Sequence, residues 1–241
     1  LHTTSKLVEP RSSNIDPNHQ PDDRENTMAD ILIAALSPAG HISPLLAVAR
    51  GLASRGDDVT VLTAERHAGA VRALGAHPHP LPVEADLDEA RLHSMPERAA
   101  TSGLRRLNFD ITHLFVTPIP HQAAVLGDLL RQKRFDAVIA DASFFGTIPF
   151  LLGERSAHPP ILAFTPMPLM ISSRHTAAAG LGLPPAADAV GRIRNRILNT
   201  LSHNVLLRQP HRAANRVLDR MNTPRLPVFL LDAGLLADRY I

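Results

Sequence analysis

Two side chains in this sequence could handle a proton together. His41 lies in SPAGHISPLLAVARGLASRG, residues 37–56, directly after the apolar run ADILIAAL. Asp141 stands near the end of a second apolar run, DAVIADA, residues 136–142. An imidazole at a helix N-terminus faces the positive end of the dipole, which disfavours its protonated form. It is then expected to be neutral near pH 7 and able to accept a proton. A carboxylate on its other ring nitrogen would fix the tautomer and stabilise the imidazolium once formed. Such a pair can act as a general base on a hydroxyl. A plainer reading stands beside this one: the histidine caps its helix or meets a carbonyl, and the aspartate closes its strand. The two residues are a hundred positions apart, so spacing is silent and only topology can join them.

Other candidates carry two readings each. Ser37, Ala39 and Gly40 are small residues before the helix. They either let backbone N–H groups approach a phosphate or simply make a tight turn. Ser143, Phe144 and Phe145 follow the Asp141 run, and Met167 and Met170 open a later loop; these line a pocket or pack in the core. His77, His79 and His93 have no metal-ligand spacing, and no metal site is expected. His203 and His211 read as solvated on a basic helix. Arg192, Arg194, Arg196, Arg208, Arg212 and Arg216 read as a wet face of that helix, or as a docking face for another domain or an acidic partner.

The elements that must position these residues alternate along the chain. Residues 29–36 read as a buried strand. Residues 41–55 read as a helix with Ile42, Leu45, Leu46, Ala49 and Leu52 on one stripe. Pro44 falls in its first turn, where a missing N–H costs nothing, and Gly56 stops it. Strand two is expected over 58–64 and a short helix over 65–74. Residues 77–83 carry three prolines and make at best a short edge strand. Residues 84–103 read as a loop with helical pieces, and 104–133 as helix broken near Pro118 and Pro120. A strand at 136–142, a helix at 146–155 and a strand at 160–165 follow. Residues 171–186 form a small-residue loop, and 188–222 a basic amphipathic helix interrupted near Pro210. The tail is apolar to its end. Buried-type strands alternating with helices predict an α/β fold: a Rossmann-like, doubly wound parallel sheet covered on both faces. With strand order 3-2-1-4-5, strands one and four are neighbours, and ligands bind outside their carboxyl ends. His41 and Asp141 both fall there.

Composition bounds the rest. The chain has 241 residues, 44% hydrophobic and 20% charged, which supports a buried core. It contains no Trp and one Tyr, a poor supply of rings for stacking on bases. Net charge is only +2, and no Lys/Arg run tracks phosphates, so no nucleic-acid partner is expected. There is no cysteine, which excludes disulfides, thiolate nucleophiles and cysteine-type zinc sites and fits a cytoplasmic location. No apolar run approaches the length of a membrane span. Residues 1–27 are polar, aperiodic and rich in Pro, Asn and Asp; they read as a disordered leader, with one Rossmann-like domain over 28–241. GxGxxG and GxxxxGK[ST] are both absent, so a self-contained dinucleotide or NTP site is unsupported.

One resemblance adds to this. Residues 37–75, SPAGHISPLLAVARGLASRGDDVTVLTAERHAGAVRALG, resemble the opening of the family 1 (UDP-glycosyltransferase-like) GT-B glycosyltransferases, particularly the macrolide-type and antibiotic-modifying branch. Gly40, His41, Pro44, Leu52, Arg55, Gly56, Val59 and Thr60 occupy the matching places. FDAVIADASFFG, residues 135–146, resembles the family's next landmark, an apolar strand ending in Asp, and the tail resembles the segment before the interdomain linker. The resemblance covers most of residues 29–241 and is most specific at its start.

It implies the N-terminal, acceptor-binding half of a GT-B fold. The implied reaction is inverting hexosyl transfer from a nucleotide-sugar, a UDP-sugar, to a hydroxyl of a small hydrophobic acceptor, with no metal and no cofactor beyond that co-substrate. His41 would be the base and Asp141 its support. Ser37, Ala39 and Gly40 would lie near the donor phosphates, and Ser143, Phe144 and Met167 near the acceptor. The family's second domain carries a His-Gly-Gly-type motif for the nucleotide, and this sequence contains nothing like it. The chain alone is therefore expected to be inactive, with the donor domain supplied separately or lost to truncation or frameshift. The alternative is a non-catalytic binding or interaction module derived from such a half.

Overall fold

The computed structural model describes residues 28–87, 89–166, 171–178 and 181–241. The expected leader, and Met167 and Met170, lie outside the described residues.

Among the described residues six strands form one sheet: β1 (Asp30–Ala34), β2 (Asp58–Thr63), β3 (His77–Pro80), β4 (Ala137–Asp141), β5 (Ile161–Phe164) and β6 (Arg239–Tyr240). Their order is β3-β2-β1-β4-β5-β6, and every pair is parallel. Winding runs outward from β1 to β3, then resumes on the other side of β1 with β4. That reversal leaves a crevice between the carboxyl ends of β1 and β4. β3 holds two prolines, tolerated because it sits at the edge with only β2 to satisfy. β6 is unforeseen in the sequence: two residues have no periodicity to read, and only pairing with β5 defines them.

Alternation along the strands builds a core on each face. Leu32, Ala34, Leu62, Val138, Ala140 and Ile161 face α6 (Ile119–Gln132), meeting Leu126 and Leu129. Ile31, Ile33, Val59, Val61 and Ile139 face the other way, against Ile42, Leu45 and Ala49 of α1 (Ala39–Ser54) and Val71 of α2 (Ala68–Ala73). A sheet apolar on both sides must be covered on both. Gly56 and Gly75, with φ of 92° and 78°, end α1 and α2 in the left-handed region that favours glycine.

The segment between β3 and β4 holds α3 (Glu89–His93), α4 (Pro96–Ala99) and α5 (Gly103–Ile111), then a π turn, Thr112–Val116, before α6 restarts the helix at Ile119. Pro120 lies in the first turn of α6 rather than breaking it.

The helix expected over 146–155 is a correction. It divides into a 3-10 turn, Phe145–Thr147, the single turn of α7 (Ile148–Leu151) and a second 3-10 turn, Arg155–Ala157. Gly146 is pressed against α6 so closely that a Cβ there would lie 2.2 Å from the Gln122 Cβ. Packing, not local propensity, shapes this stretch.

The C-terminal helices are also corrected. α8 (Ala189–Leu201) is capped by Asp188, whose side chain accepts from the Gly191 N–H at 2.7 Å. The interruption comes at a π turn, Ser202–Leu206, not at Pro210, which is buried in the first turn of α9 (Arg208–Arg220). α9 buries Ala213, Ala214, Val217 and Leu218 against Val116, Ile119 and the tail residues Leu226 and Leu230. α8 is turned the other way round. It buries Asn195 and Asn199, whose amides reach the carbonyls of Arg174, Ser173 and Thr176, and leaves Val190, Ile193, Ile197 and Leu201 exposed. Arg196, Arg208, Arg212 and Arg216 are exposed, whereas Arg192 and Arg194 are half-buried. No helix among the described residues is long and apolar enough to cross a membrane.

Candidate active site at the carboxyl ends of β1 and β4

His41 and Asp141 meet because two periodicities agree. Asp141 is the last residue of β4 and shares the parity of Ile139, so its side chain leaves the sheet on the α1 face. α1 starts just beyond β1, the neighbour of β4, and packs on that same face. His41 lies in its first turn, where the His41 and Ile42 N–H groups both reach the Pro38 carbonyl. The ring Nδ1 stands 2.6 Å from Asp141 Oδ2. His41 is 8% exposed and Asp141 1%. The other carboxylate oxygen, Oδ1, accepts from the Ser143 N–H at 2.8 Å. His41 Nε2 makes no hydrogen bond among the described residues.

Burial pushes the His41 pKa down, but the hydrogen bond and charge of Asp141, with a contribution from Glu89, outweigh it and raise it above the ordinary 6.5. This shift runs opposite to the one that the helix dipole alone would give. A carboxylate in contact overrides a partial charge spread over a helix turn. The pair therefore combines a well-held ring with a basic Nε2.

The small residues before the helix divide. Ala39 and Gly40 are exposed, with nothing within 4 Å of a Cβ built at Gly40, so the helix start is open. Ser37 is buried, and every polar group it has is taken. Its N–H donates to Asp86 Oδ1 at 3.1 Å, its hydroxyl donates to Asp86 Oδ2 and accepts from the Arg66 guanidinium, and its carbonyl meets His67 Nε2 at 2.9 Å. The expectation that Ser37 approaches a phosphate is corrected: its groups are already spent on protein partners. Phe144 is 0% exposed in the core beneath α6, so its side chain packs rather than lines a pocket. Ser143 is buried and contributes its N–H to Asp141. Met167 stays outside the described residues.

Asp86, Arg66 and His67 escape the sequence reading. Asp86 lies in a segment with no periodicity, and nothing in its neighbours marks it. Asp86 also lines a cavity of about 160 Å³ together with Glu84, Leu92, Met95, His113 and His121.

His203 and His211 are not solvated. His203 stacks on Phe229 at 4.0 Å, with Nε2 2.7 Å from Ser172 Oγ, and His211 lies 5.6 Å from the same ring. Burial lowers the pKa of both. The tail ring that buries them is distant in sequence, which is why the basic helix alone misleads. Among the described residues no group of three His, Cys, Asp or Glu side chains could hold a metal ion.

No family model matches the chain. Over 199 residues it is 32% identical to 4'-demethylrebeccamycin synthase from Lentzea aerocolonigenes, an alignment covering 82% of this chain and 47% of that protein. It is 29% identical over 185 residues to UDP-glucosyltransferase A1 from Starmerella bombicola, covering 74% of this chain and 39% of that one. Among solved structures, the glycotransferase of kitacinnamycin superposes with a TM-score of 0.56 at 18% identity, over 89% of this chain and 45% of its own, a likeness of fold. The chain spans about half the length, or less, of the curated relatives it matches.

Proposed function

We propose, on the premise that this chain belongs to the UDP-glycosyltransferase-like GT-B glycosyltransferases and has the sheet of that fold's N-terminal half, that it is the acceptor-binding half of an inverting transferase. The transferred group is a hexosyl from a nucleotide-sugar, a UDP-sugar, and the acceptor is a hydroxyl of a small hydrophobic molecule. The observation that carries this reading is the buried contact of His41 Nδ1 with Asp141 Oδ2 at the crevice, with Nε2 making no hydrogen bond among the described residues.

In this reading Nε2 takes the proton as the acceptor oxygen attacks the anomeric carbon. The bond from that carbon to the nucleoside diphosphate breaks on the opposite face, which inverts the centre. The imidazolium that forms is stabilised by Asp141, which holds the Nδ1–H tautomer throughout. Every proton movement is assigned to His41, so the reading calls for no metal and no further cofactor. The open helix start at Ala39 and Gly40 suits an anionic donor group. The donor half, whether continuous with this chain or separate, holds the nucleotide, and residues 28–241 by themselves are expected not to turn over.

The test uses protein containing both halves. His41→Ala is expected to lower transfer by roughly 10²–10⁴-fold, the usual worth of a general base, with donor affinity by calorimetry unchanged. Asp141→Asn is expected to cost less. Transfer at the unsubstituted rate in His41→Ala would overturn His41 as the base, whereas no transfer by the unsubstituted two-half protein would favour a non-catalytic binding module.

A further inference from the structure

We propose that Asp86 and Gln122 form a buried polar brace that sets the placement of His41 against Asp141, Asp86 acting through Ser37 and Gln122 through Gly146. Both are positioning residues in this assignment. The proposal deepens the transferase reading of the same site, and its kinetic consequence rests on that reading.

The need for a brace follows from how α1 begins. Its N-cap is Pro38, and no side chain caps the helix. The direction of its first turn, and with it the His41 ring, depends on what holds the residue before the cap. That residue is Ser37, and Asp86 grips it twice, by N–H and by hydroxyl. Arg66 adds its guanidinium to the Ser37 hydroxyl and lies 3.8 Å from Asp86. Asp86 is itself held in a turn in which the Ala85 and Asp86 N–H groups both reach the Pro82 carbonyl.

Gln122 continues the brace to the other member of the pair. It is 1% exposed on α6, and both ends of its amide are used. Nε2 donates to the Ala85 carbonyl and Oε1 accepts from the Gly146 N–H, each at 2.8 Å. Gly146 begins only five residues after Asp141, in the 3-10 turn whose preceding Ser143 N–H binds the Asp141 carboxylate. The line Ser37–Asp86–Ala85–Gln122–Gly146 thus joins the turn carrying His41 to the turn carrying Asp141. No other role in the proposed chemistry engages Asp86 or Gln122. A hydrogen-bonded pair at 2.6 Å is sensitive to displacements of a fraction of an ångström, so its geometry reports on the brace.

The test follows the His41 ring by ¹⁵N NMR titration in this chain, with no assay of transfer required. In the unsubstituted chain the midpoint is expected above 6.5. Asp86→Ala and Gln122→Met are each expected to lower it, and Asp86→Asn, which keeps an acceptor for the Ser37 N–H, to restore most of it. The lowering by Asp86→Ala is expected to vanish in an Asp141→Asn background, where there is no His41–Asp141 carboxylate pair left to misplace. A midpoint unmoved by both Asp86→Ala and Gln122→Met overturns the proposal. So does a shift that survives in the Asp141→Asn background, since that marks direct charge from Asp86 rather than positioning. If Asp86→Ala loses its far-UV circular dichroism, Ser37→Ala, which removes only the hydroxyl end of the brace, gives the same comparison. In the two-half transferase, Asp86→Ala is expected to lower kcat on the order of 10- to 100-fold with little change in KM. A brace visible by NMR in a protein without transfer would leave this inference standing and remove the function above.

Discussion

At the scale of single residues, His41 ties the site to the stability of the fold. Its folded pKa is raised above the unfolded value of 6.5, so the folded state binds a proton more tightly than the unfolded chain does. The stabilisation is fully present below 6.5 and is lost as pH rises through the folded pKa. Half-buried His203 and His211 have lowered values and act in the opposite sense: their contribution is present above 6.5 and lost as pH falls through their folded pKa values. Asp141→Asn removes the charge that raises His41. Its thermal midpoint is therefore expected to fall relative to the unsubstituted chain at pH 6 and to converge with it above the folded His41 pKa; a gap that is constant from pH 6 to 9 would refute the linkage. The residue types of this pair, and the run each follows, are legible in the sequence. The sign of the His41 shift is not, because it is a contest between burial, a helix end and a carboxylate whose distance only coordinates give.

Among the elements, the stretch after β4 departs most from its local sequence signal. Residues 146–155 carry helical spacing, yet only one α turn forms, because Gly146 is wedged against Gln122 of α6. Gly146→Ala puts a methyl group where Gln122 Cβ and backbone already stand, at 2.2 and 2.8 Å. Overpacking of this kind costs about 1–3 kcal/mol, and the loss of denaturation free energy in urea is the measurement; a loss under about 0.5 kcal/mol would mean that the turn yields. α8 gives the reverse lesson. Its aliphatic stripe is readable at helical spacing, but the side that faces the protein is the one whose Asn195 and Asn199 amides donate to the carbonyls of Ser173, Arg174 and Thr176. Helical periodicity marks a stripe; it does not say which side of the helix is dry.

The whole molecule is clasped at the end of the sheet opposite the site. Lys133, after α6, bridges Asp30 and Asp58 at 2.7 Å each, and His77 of the edge strand approaches Asp58 at 3.3 Å. The starts of β1, β2 and β3 are tied in this way. These charges are partly exposed, so the clasp contributes at most about 1 kcal/mol per pair and weakens with salt. Lys133→Met is expected to lower the thermal midpoint by a few degrees at low ionic strength and by less in 1 M NaCl; a salt-independent loss would assign the effect to packing on Phe135 instead, whose ring the Lys133 ammonium overlies at 5.3 Å.

By itself the sequence determined the strand and helix alternation, the crevice end of the sheet and the family likeness of residues 37–75, because these depend on period and on residues adjacent in the chain. Only the tertiary structure decided that Nδ1 of His41 meets Asp141, that Ser37 and Phe144 face inward, and that Asp86 and Gln122 link the two turns. Those contacts join residues from 24 to 100 positions apart. Hydrogen bonds act over about 3 Å, and no pattern along a chain encodes so short a distance between remote segments; it exists once the sheet has brought the carboxyl ends of its strands side by side.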